Sequence, residues 1–400
     1  MTRRALSVLL SLTFAAALCG GVAAATAATA TAATPAVTAA SAIVVDARDG
    51  TVLYERDARR RRPIASTTKL MTALLALEQL PLRLRVAAPA YSAGPQESLI
   101  GLLPGERMTV RDLLRGLLLE SANDAAVTLA RAAAGSVRRF VGEMNRKAVD
   151  LALAETHYAN PIGLDQERNF STALDLARLS RRLLRNRTFA HIVNLPRAKL
   201  RSGLRPRVIQ NRNDLVGRFR WIDGVKTGHT ARAGYVLIGA AHRRGVRLVS
   251  VVLGEPTLAQ RDRDTLTLLQ YGFSRYRRVR MARAGSVQAN PKIDYYGDRR
   301  AKLVARRDLR VSARRDQRVE KRIDAPKRVK GPIPRGRRLG RVIAIVDGKP
   351  VASVPLVTAA AVPRVGAVRK LFHDATSPGP VLVAVAIAVF AAARARARHA

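Results

Sequence analysis

Between Ser41 and Gly272, apolar strand patterns stand at both ends and long helical patterns fill the middle, and this order constrains the fold more than any other feature. Ala42-Ile43-Val44-Val45-Asp46 and Thr51-Val52-Leu53-Tyr54 flank Asp49-Gly50, a strong hairpin signal. Helical periodicity then predicts helices over Ser66–Leu80, Val110–Ala134, Val137–Ala154 and Ser171–Asn186. Strand patterns return at Asp223–Thr227, Gly234–Ala241 and Val246–Leu253, followed by a helix from about Pro256 to Gly272. Strands so far apart in sequence can share a sheet only by closing around the helices. The expectation is an α/β domain whose sheet is assembled from non-contiguous segments.

The character changes after about Arg283. Short alternating segments at Ala301–Ala305 and Val342–Val346, the latter followed by Asp347-Gly348 and Val351–Val357, predict a small β-rich domain. We place the first domain over residues 41–283 and this second one over 284–371. Lysine and arginine heavily outnumber acids in the second domain, which makes it a positively charged stalk. The 400-residue chain as a whole carries a formal net charge of +42. Nucleic acid is the first partner such a balance suggests. Aromatic residues are only 4% of the chain, too few for base-stacking platforms, and both termini carry export and anchoring signals. We therefore expect no nucleic-acid partner. The anionic cell envelope, with its wall polymers and acidic lipid head groups, suits the charge better.

Arg3-Arg4, the apolar run Ala5–Leu18 and Ala23-Ala24-Ala25 read as a secretory signal peptide over residues 1–25. Cys19 is the single cysteine, and Leu18 before it does not fit a lipoprotein box. It leaves with the signal, so the mature chain has no disulfide framework and no thiol chemistry. Ala/Thr-rich residues 26–40 read as a low-complexity linker. At the other end Val381–Ala393 is continuously apolar and closes on Arg394, Arg396 and Arg398. As a helix this run spans only about 20 Å, or about 28 Å with its flanks and snorkelling arginines, against roughly 30 Å of hydrocarbon. The expectation is a C-terminal membrane anchor over 379–398 with a positive-inside flank, the body lying on the extracytoplasmic face.

Three short motifs follow one another within this frame. Ser66-Thr67-Thr68-Lys69 opens a long apolar helix, Ser121-Ala122-Asn123 interrupts helical sequence, and Lys226-Thr227-Gly228 ends a strand. Singly each is bland: Ser66 is a good helix cap, and the other two are short enough to recur by accident. Their order and contexts together match the serine acyl-transfer trio of β-lactamases and penicillin-binding proteins. A serine hydroxyl needs a nearby base, and Lys69, one helical turn on, projects from the same face. Burial and a second cation, Lys226, would both lower the Lys69 pKa. Ser121 can relay a proton to the leaving group, and Asn123 can hold the substrate amide. Lys226 and Thr227 offer charge and a hydroxyl to a peptide carboxylate. Backbone N–H groups of Ser66 and His229, the latter just after Gly228, would form an oxyanion hole. Asp124 reads as a local hydrogen bonder. The six histidines are dispersed without ligand spacing, so neither a metal nor another cofactor is expected.

Beyond these motifs the chain resembles the D-alanyl-D-alanine carboxypeptidase family of low-molecular-mass penicillin-binding proteins, from about Ser41 to Leu371. The family-like stretches include Ala65–Ala73, Ser121–Ala126, Asn160-Pro161-Ile162-Gly163-Leu164-Asp165, Asn211-Arg212-Asn213 and Asp223–Thr230, with Ala233-Gly234-Tyr235 behind. The resemblance implies a β-lactamase/DD-peptidase-like domain, in which an antiparallel sheet is flanked by helices and joined by a helical subdomain. A β-rich domain and a membrane anchor follow. It implies removal of the terminal D-alanine from peptidoglycan stem peptides through a Ser66 acyl-enzyme, with β-lactam antibiotics as covalent inhibitors. Arg212 resembles the family arginine that helps bind the substrate carboxylate. Two departures stand out: Arg168-Asn169 replaces a histidine often found before Ser-Thr-Ala, and Ala122 replaces a glycine of some members. A DD-endopeptidase, a β-lactamase and a non-catalytic wall-binding scaffold remain as alternatives. The sequence supplies no clear second base for the β-lactamase, and the intact trio argues against the scaffold.

Overall fold

The computed structural model describes residues 34–370, 387–389 and 394. Its first sheet contains β1 (Ser41–Asp46), β2 (Val52–Arg56), β3 (Ile222–Thr230), β4 (Gly234–Arg243) and β5 (Val246–Glu255). They lie in the order β2-β1-β5-β4-β3, every neighbouring pair antiparallel. The N-terminal hairpin thus pairs with a strand far along the chain, Val44 opposite Ser250 and Val45 opposite Val249. This is the sheet of non-contiguous segments that the sequence predicts.

Both faces of the sheet are covered, which is why β1 is apolar from Ala42 to Val45 and buried at every position. Alternation still sorts its residues between two cores. Ile43, Val45, Ile238, Val249 and Val251 face the helical part of the domain. Ala42, Val44, Leu237, Leu248 and Val252 face the opposite way, onto Leu268 and Leu269.

The helical part comprises α1 (Lys69–Gln79), α2 (Val110–Arg115), α3 (Asn123–Ala134), α4 (Val137–Asp150) and α5 (Ala173–Leu183), and α6 (Leu258–Ser274) covers the far face. Every residue of α1 from Lys69 to Ala76 is buried, so this helix is the axis around which the others pack. The helix predicted over Val110–Ala134 is two helices. A π-helical turn, Gly116–Glu120, ends α2, Ser121 follows in the left-handed region (φ 66), and α3 restarts at Asn123. The helix predicted from Ser66 begins as α-helix only at Lys69, because Ala65–Thr68 forms a 3-10 turn.

Residues 34–40 correct the linker expectation. Val37 and Ala39 are buried in the core under α6, and Thr38 Oγ1 donates to Glu255 and Asp264 at 2.9 and 3.1 Å. Ala/Thr composition hides this, because small side chains pack as well as they link. The signal peptide expected over 1–25 lies outside the described residues, as does most of the anchor expected over 379–398. Among the described residues no helix is long and apolar enough to cross a membrane.

A β-rich unit begins at Tyr276, directly after α6. Its larger sheet takes strands in the order Val287–Ala289, Leu303–Ala305, Lys349–Thr358, Arg338–Val346 and Val319–Asp324. Asp347 and Gly348 both have positive φ (47 and 74) at the tip of its longest hairpin, the conformation a two-residue turn needs. The Tyr276 hydroxyl donates to Asp46 at 2.5 Å and Arg314 pairs with Asp49 at 2.9 Å, tying this unit to the first hairpin.

Leu70 is fully buried, so Leu70→Ala should lower unfolding free energy by about 2–5 kcal/mol. Val149, 79% exposed, should tolerate alanine within about 0.5 kcal/mol. Denaturant midpoints of the two variants check the contrast.

Candidate active site

The 3-10 turn Ala65–Thr68 aims Ser66 across the end of α1, and no side chain caps it. The Thr67 N–H and Oγ1 both donate to the Ile64 carbonyl, at 3.1 and 2.6 Å, which fixes the turn. Lys69 Nζ donates to Ser66 Oγ at 2.9 Å and to the Ile162 carbonyl at 2.5 Å. That carbonyl is delivered by the Asn160–Gly163 turn. Asn160 Oδ1 accepts from the N–H groups of Ile162 and Gly163 at 3.2 and 2.6 Å, and Thr72 Oγ1 donates to the Pro161 carbonyl at 2.7 Å. Gly163 has φ +90, and a Cβ there would stand 2.0 Å from the Ala65 oxygen. Only glycine lets the loop come so close. From the opposite side β3, the edge strand of the sheet, brings Gly228 so near that its Cβ would lie 3.0 Å from the Ser66 nitrogen.

The third wall is the kink between α2 and α3. Ser121 and Asn123 are buried there, presented by a π-turn and a left-handed residue rather than by a regular helix face. Asn123 donates its N–H to the Ser98 carbonyl at 2.7 Å and its Nδ2 to Glu97 Oε2 at 2.6 Å. Asp124 accepts from the N–H groups of Ile100 and Leu102 at 3.2 and 3.0 Å. It is a local hydrogen bonder that clamps the preceding loop to α3.

Lys226 is 1% exposed and donates to the Thr227 carbonyl at 2.8 Å. Thr227 is buried beside it, while His229 is exposed and stacks on Tyr235 at 4.1 Å between ring centres. Arg212 reaches the rim, but its Nε and Nη2 both donate to Glu120 Oε1, at 2.9 and 2.6 Å. The guanidinium expected to stand ready for a carboxylate is therefore engaged by an acid of the π-turn.

Electrostatics separate these groups. Burial, then the charge of Lys226, pushes the Lys69 amine well below its ordinary pKa, with Glu97 and Asp124 opposing. Burial, then Arg212 and Arg261, lowers Lys226 to about 7, opposed by Glu120. For Glu97 burial acts upward, yet hydrogen bonds from Tyr91, Gly94 and Asn123, with the charge of Lys69, hold its carboxyl below the usual range.

Two participants escaped the sequence reading. The Ile162 carbonyl lies inside the Asn160–Asp165 stretch, whose Asn-Pro-x-Gly turn was its only signal. Glu97 sits in a Gly/Pro-containing loop without periodicity. At the departure from the family pattern, Asn169 is buried, and its Nδ2 donates to Thr68 Oγ1 at 3.3 Å. It thereby supports the serine turn directly.

The family model described as D-alanyl-D-alanine carboxypeptidase matches residues 27–257. That described as penicillin-binding protein 5, C-terminal domain, matches residues 276–364. The chain is similar to the D-alanyl-D-alanine carboxypeptidase DacF of Bacillus subtilis, 30% identical over 325 residues, covering 79% of this chain and 84% of that one. It is also similar to DacA of Escherichia coli, 30% identical over 342 residues, covering 81% and 83%. Among solved structures it is similar to penicillin binding protein 5 from Haemophilus influenzae, with a TM-score of 0.59 and 29% identity, covering 82% of this chain and 99% of that one.

Two glycine substitutions separate backbone strain from close approach. Gly105 has φ +80 and open space around it, so Gly105→Ala should cost only about 1–2 kcal/mol. Gly163→Ala adds the clash with Ala65 and should cost roughly 1–3 kcal/mol more. Thermal unfolding of the two variants measures the difference.

Proposed function

Because the chain belongs to the D-alanyl-D-alanine carboxypeptidase family of serine DD-peptidases, we propose that Ser66 is its nucleophile and Lys69 the base that activates it. The observation that carries this is the 2.9 Å contact between Lys69 Nζ and Ser66 Oγ. Both hydrogen-bond acceptors of Lys69, a hydroxyl and the Ile162 carbonyl, are neutral. A fully buried ammonium with no hydrogen-bonded anion is strongly disfavoured. The surroundings therefore favour the neutral amine and hold its pKa well below the ordinary lysine range, the direction a base needs.

In the proposed reaction neutral Lys69 takes the Ser66 proton as Oγ attacks the carbonyl carbon of the penultimate D-alanine. The N–H groups of Ser66 and His229 stabilise the oxyanion. The proton passes by way of Ser121 to the nitrogen of the leaving D-alanine, the C–N bond breaks, and an acyl-enzyme remains for water to cleave. Asn123 holds the peptide amide, Gly228 permits close approach, and charged Lys226 with Thr227 binds the terminal carboxylate. That carboxylate would compete with Glu120 for Arg212. β-Lactams would acylate the same serine.

Against the β-lactamase alternative, the acids at this site among the described residues are already engaged: Glu97 accepts from Tyr91, Gly94 and Asn123, Asp124 from Ile100 and Leu102, and Glu120 from Arg212. A scaffold would gain nothing from burying two lysines. A DD-endopeptidase would use the same machinery, and only the product tells them apart. A stem pentapeptide incubated with the enzyme should lose one alanine by mass, and Ser66→Ala should lower kcat/KM by at least about a thousandfold. Rates should rise as Lys69 deprotonates and fall as Lys226 loses its charge above about 7. A pentapeptide recovered intact, or cleaved equally by Ser66→Ala, rejects the reading.

We further propose export by residues 1–25 and anchoring to the outer face of the cell membrane by residues 379–398, supported by the apolar and arginine-flanked runs there. The full chain should fractionate with membranes and a chain ending at residue 371 should not. Equal membrane retention of both would sink the anchor.

A further inference from the structure

Resting on the reading of Ser66 and Lys69 above, we propose that Glu97 is a positioning residue for this reaction: it sets the amide of Asn123 and locks the loop before it onto the start of α3. Three donors converge on this one carboxylate. Asn123 Nδ2 reaches Oε2 at 2.6 Å, the Tyr91 hydroxyl meets the same oxygen, and the Gly94 N–H reaches Oε1 at 2.9 Å. Beside it the Ser98 carbonyl takes the Asn123 N–H at 2.7 Å. The loop and the first residue of α3 are thus joined twice.

An asparagine amide has two orientations that fill the same space and exchange donor for acceptor. Against a carboxylate only one is acceptable, because the other would face oxygen with oxygen. Asn123 is 5% exposed, so water cannot make good the wrong orientation. Glu97 therefore leaves the second Nδ2 hydrogen and Oδ1, in a fixed plane, for the substrate amide. An uncharged glutamine could not serve all three donors, since one of its two termini is itself a donor. Nor is Glu97 placed to bind substrate, with both oxygens already engaged.

Its charge has a second consequence. The charged groups acting on Lys69 are Lys226 from β3, Glu97 from the loop and Asp124 from α3. Removing Glu97 leaves Lys226 less opposed, so the Lys69 amine should give up its proton at lower pH.

The test measures kcat, KM and the second-order rate of Ser66 acylation by a penicillin against pH, on the full chain. E97Q should lower the acylation rate roughly ten- to hundredfold, mostly through kcat, and move the acid limb to lower pH. E97D, which keeps the charge on a shorter arm, should be slow with the limb where wild type has it. In an Asn123→Ala background E97Q should have little further effect on the plateau rate, while the acid limb still moves to lower pH. Full additivity in that cycle, or an E97Q enzyme with wild-type rate and limb, overturns the proposal while the Ser66 reading stands. A wild-type chain that is not acylated at Ser66 overturns both.

Discussion

A lysine amine sealed inside an apolar helix is the constraint on which the rest of this structure turns. Lys69 has no exposed surface, and desolvating an unpaired ammonium is among the most unfavourable events in folding. The chain meets this with neutral acceptors rather than a counter-ion. Leu70, Met71, Leu74 and Leu75 bury the start of α1, and the Asn160–Gly163 turn brings in one carbonyl. That turn depends in turn on Asn160 Oδ1 and on a glycine at 163. A carboxylate in place of the Ile162 carbonyl would stabilise the ion and abolish the base.

Topology explains why the site lies where it does. Helices α1 to α5 are inserted between β2 and β3, and β3 then returns to the edge of the sheet. Its outer side has no strand neighbour, so it faces the serine turn instead. Three walls contributed by distant stretches, around residues 66, 121 and 226, can close on one point only if the N-terminal hairpin pairs with β5. The register of Val44 on Ser250 is therefore part of the active-site geometry.

What was legible in the sequence is what is encoded locally. Period-two apolar runs gave the strands, α1 announced itself by its leucines, and each motif marks one wall. The leading causes expected for the depressed Lys69 pKa, burial and Lys226, are those that operate. The illegible parts depend on partners far away in sequence. Glu97 is an ordinary loop acid until Asn123 is placed against it, and Arg212 looks available until Glu120 is seen holding it. The π-turn before Ser121 leaves no periodic trace, because one widened turn barely shifts an apolar pattern. Residues 34–40 look like linker by composition, and only the buried carboxylates of Glu255 and Asp264 show why Thr38 belongs to the fold.

Two lysines buried to the same degree must hold opposite states for the proposed chemistry, and the charges around them differ accordingly. Lys69 is acted on first by burial and then by Lys226. Lys226, lowered to about 7, stands near the midpoint of its titration and is balanced between Arg212, Arg261 and Glu120. A group so poised responds to whatever anion arrives. On the proposed reading, a substrate carboxylate beside Lys226 raises its pKa and restores its charge, and that restored charge presses the Lys69 proton away. Substrate binding and base activation are then one linked event, because a charge favoured at one lysine is disfavoured at the other.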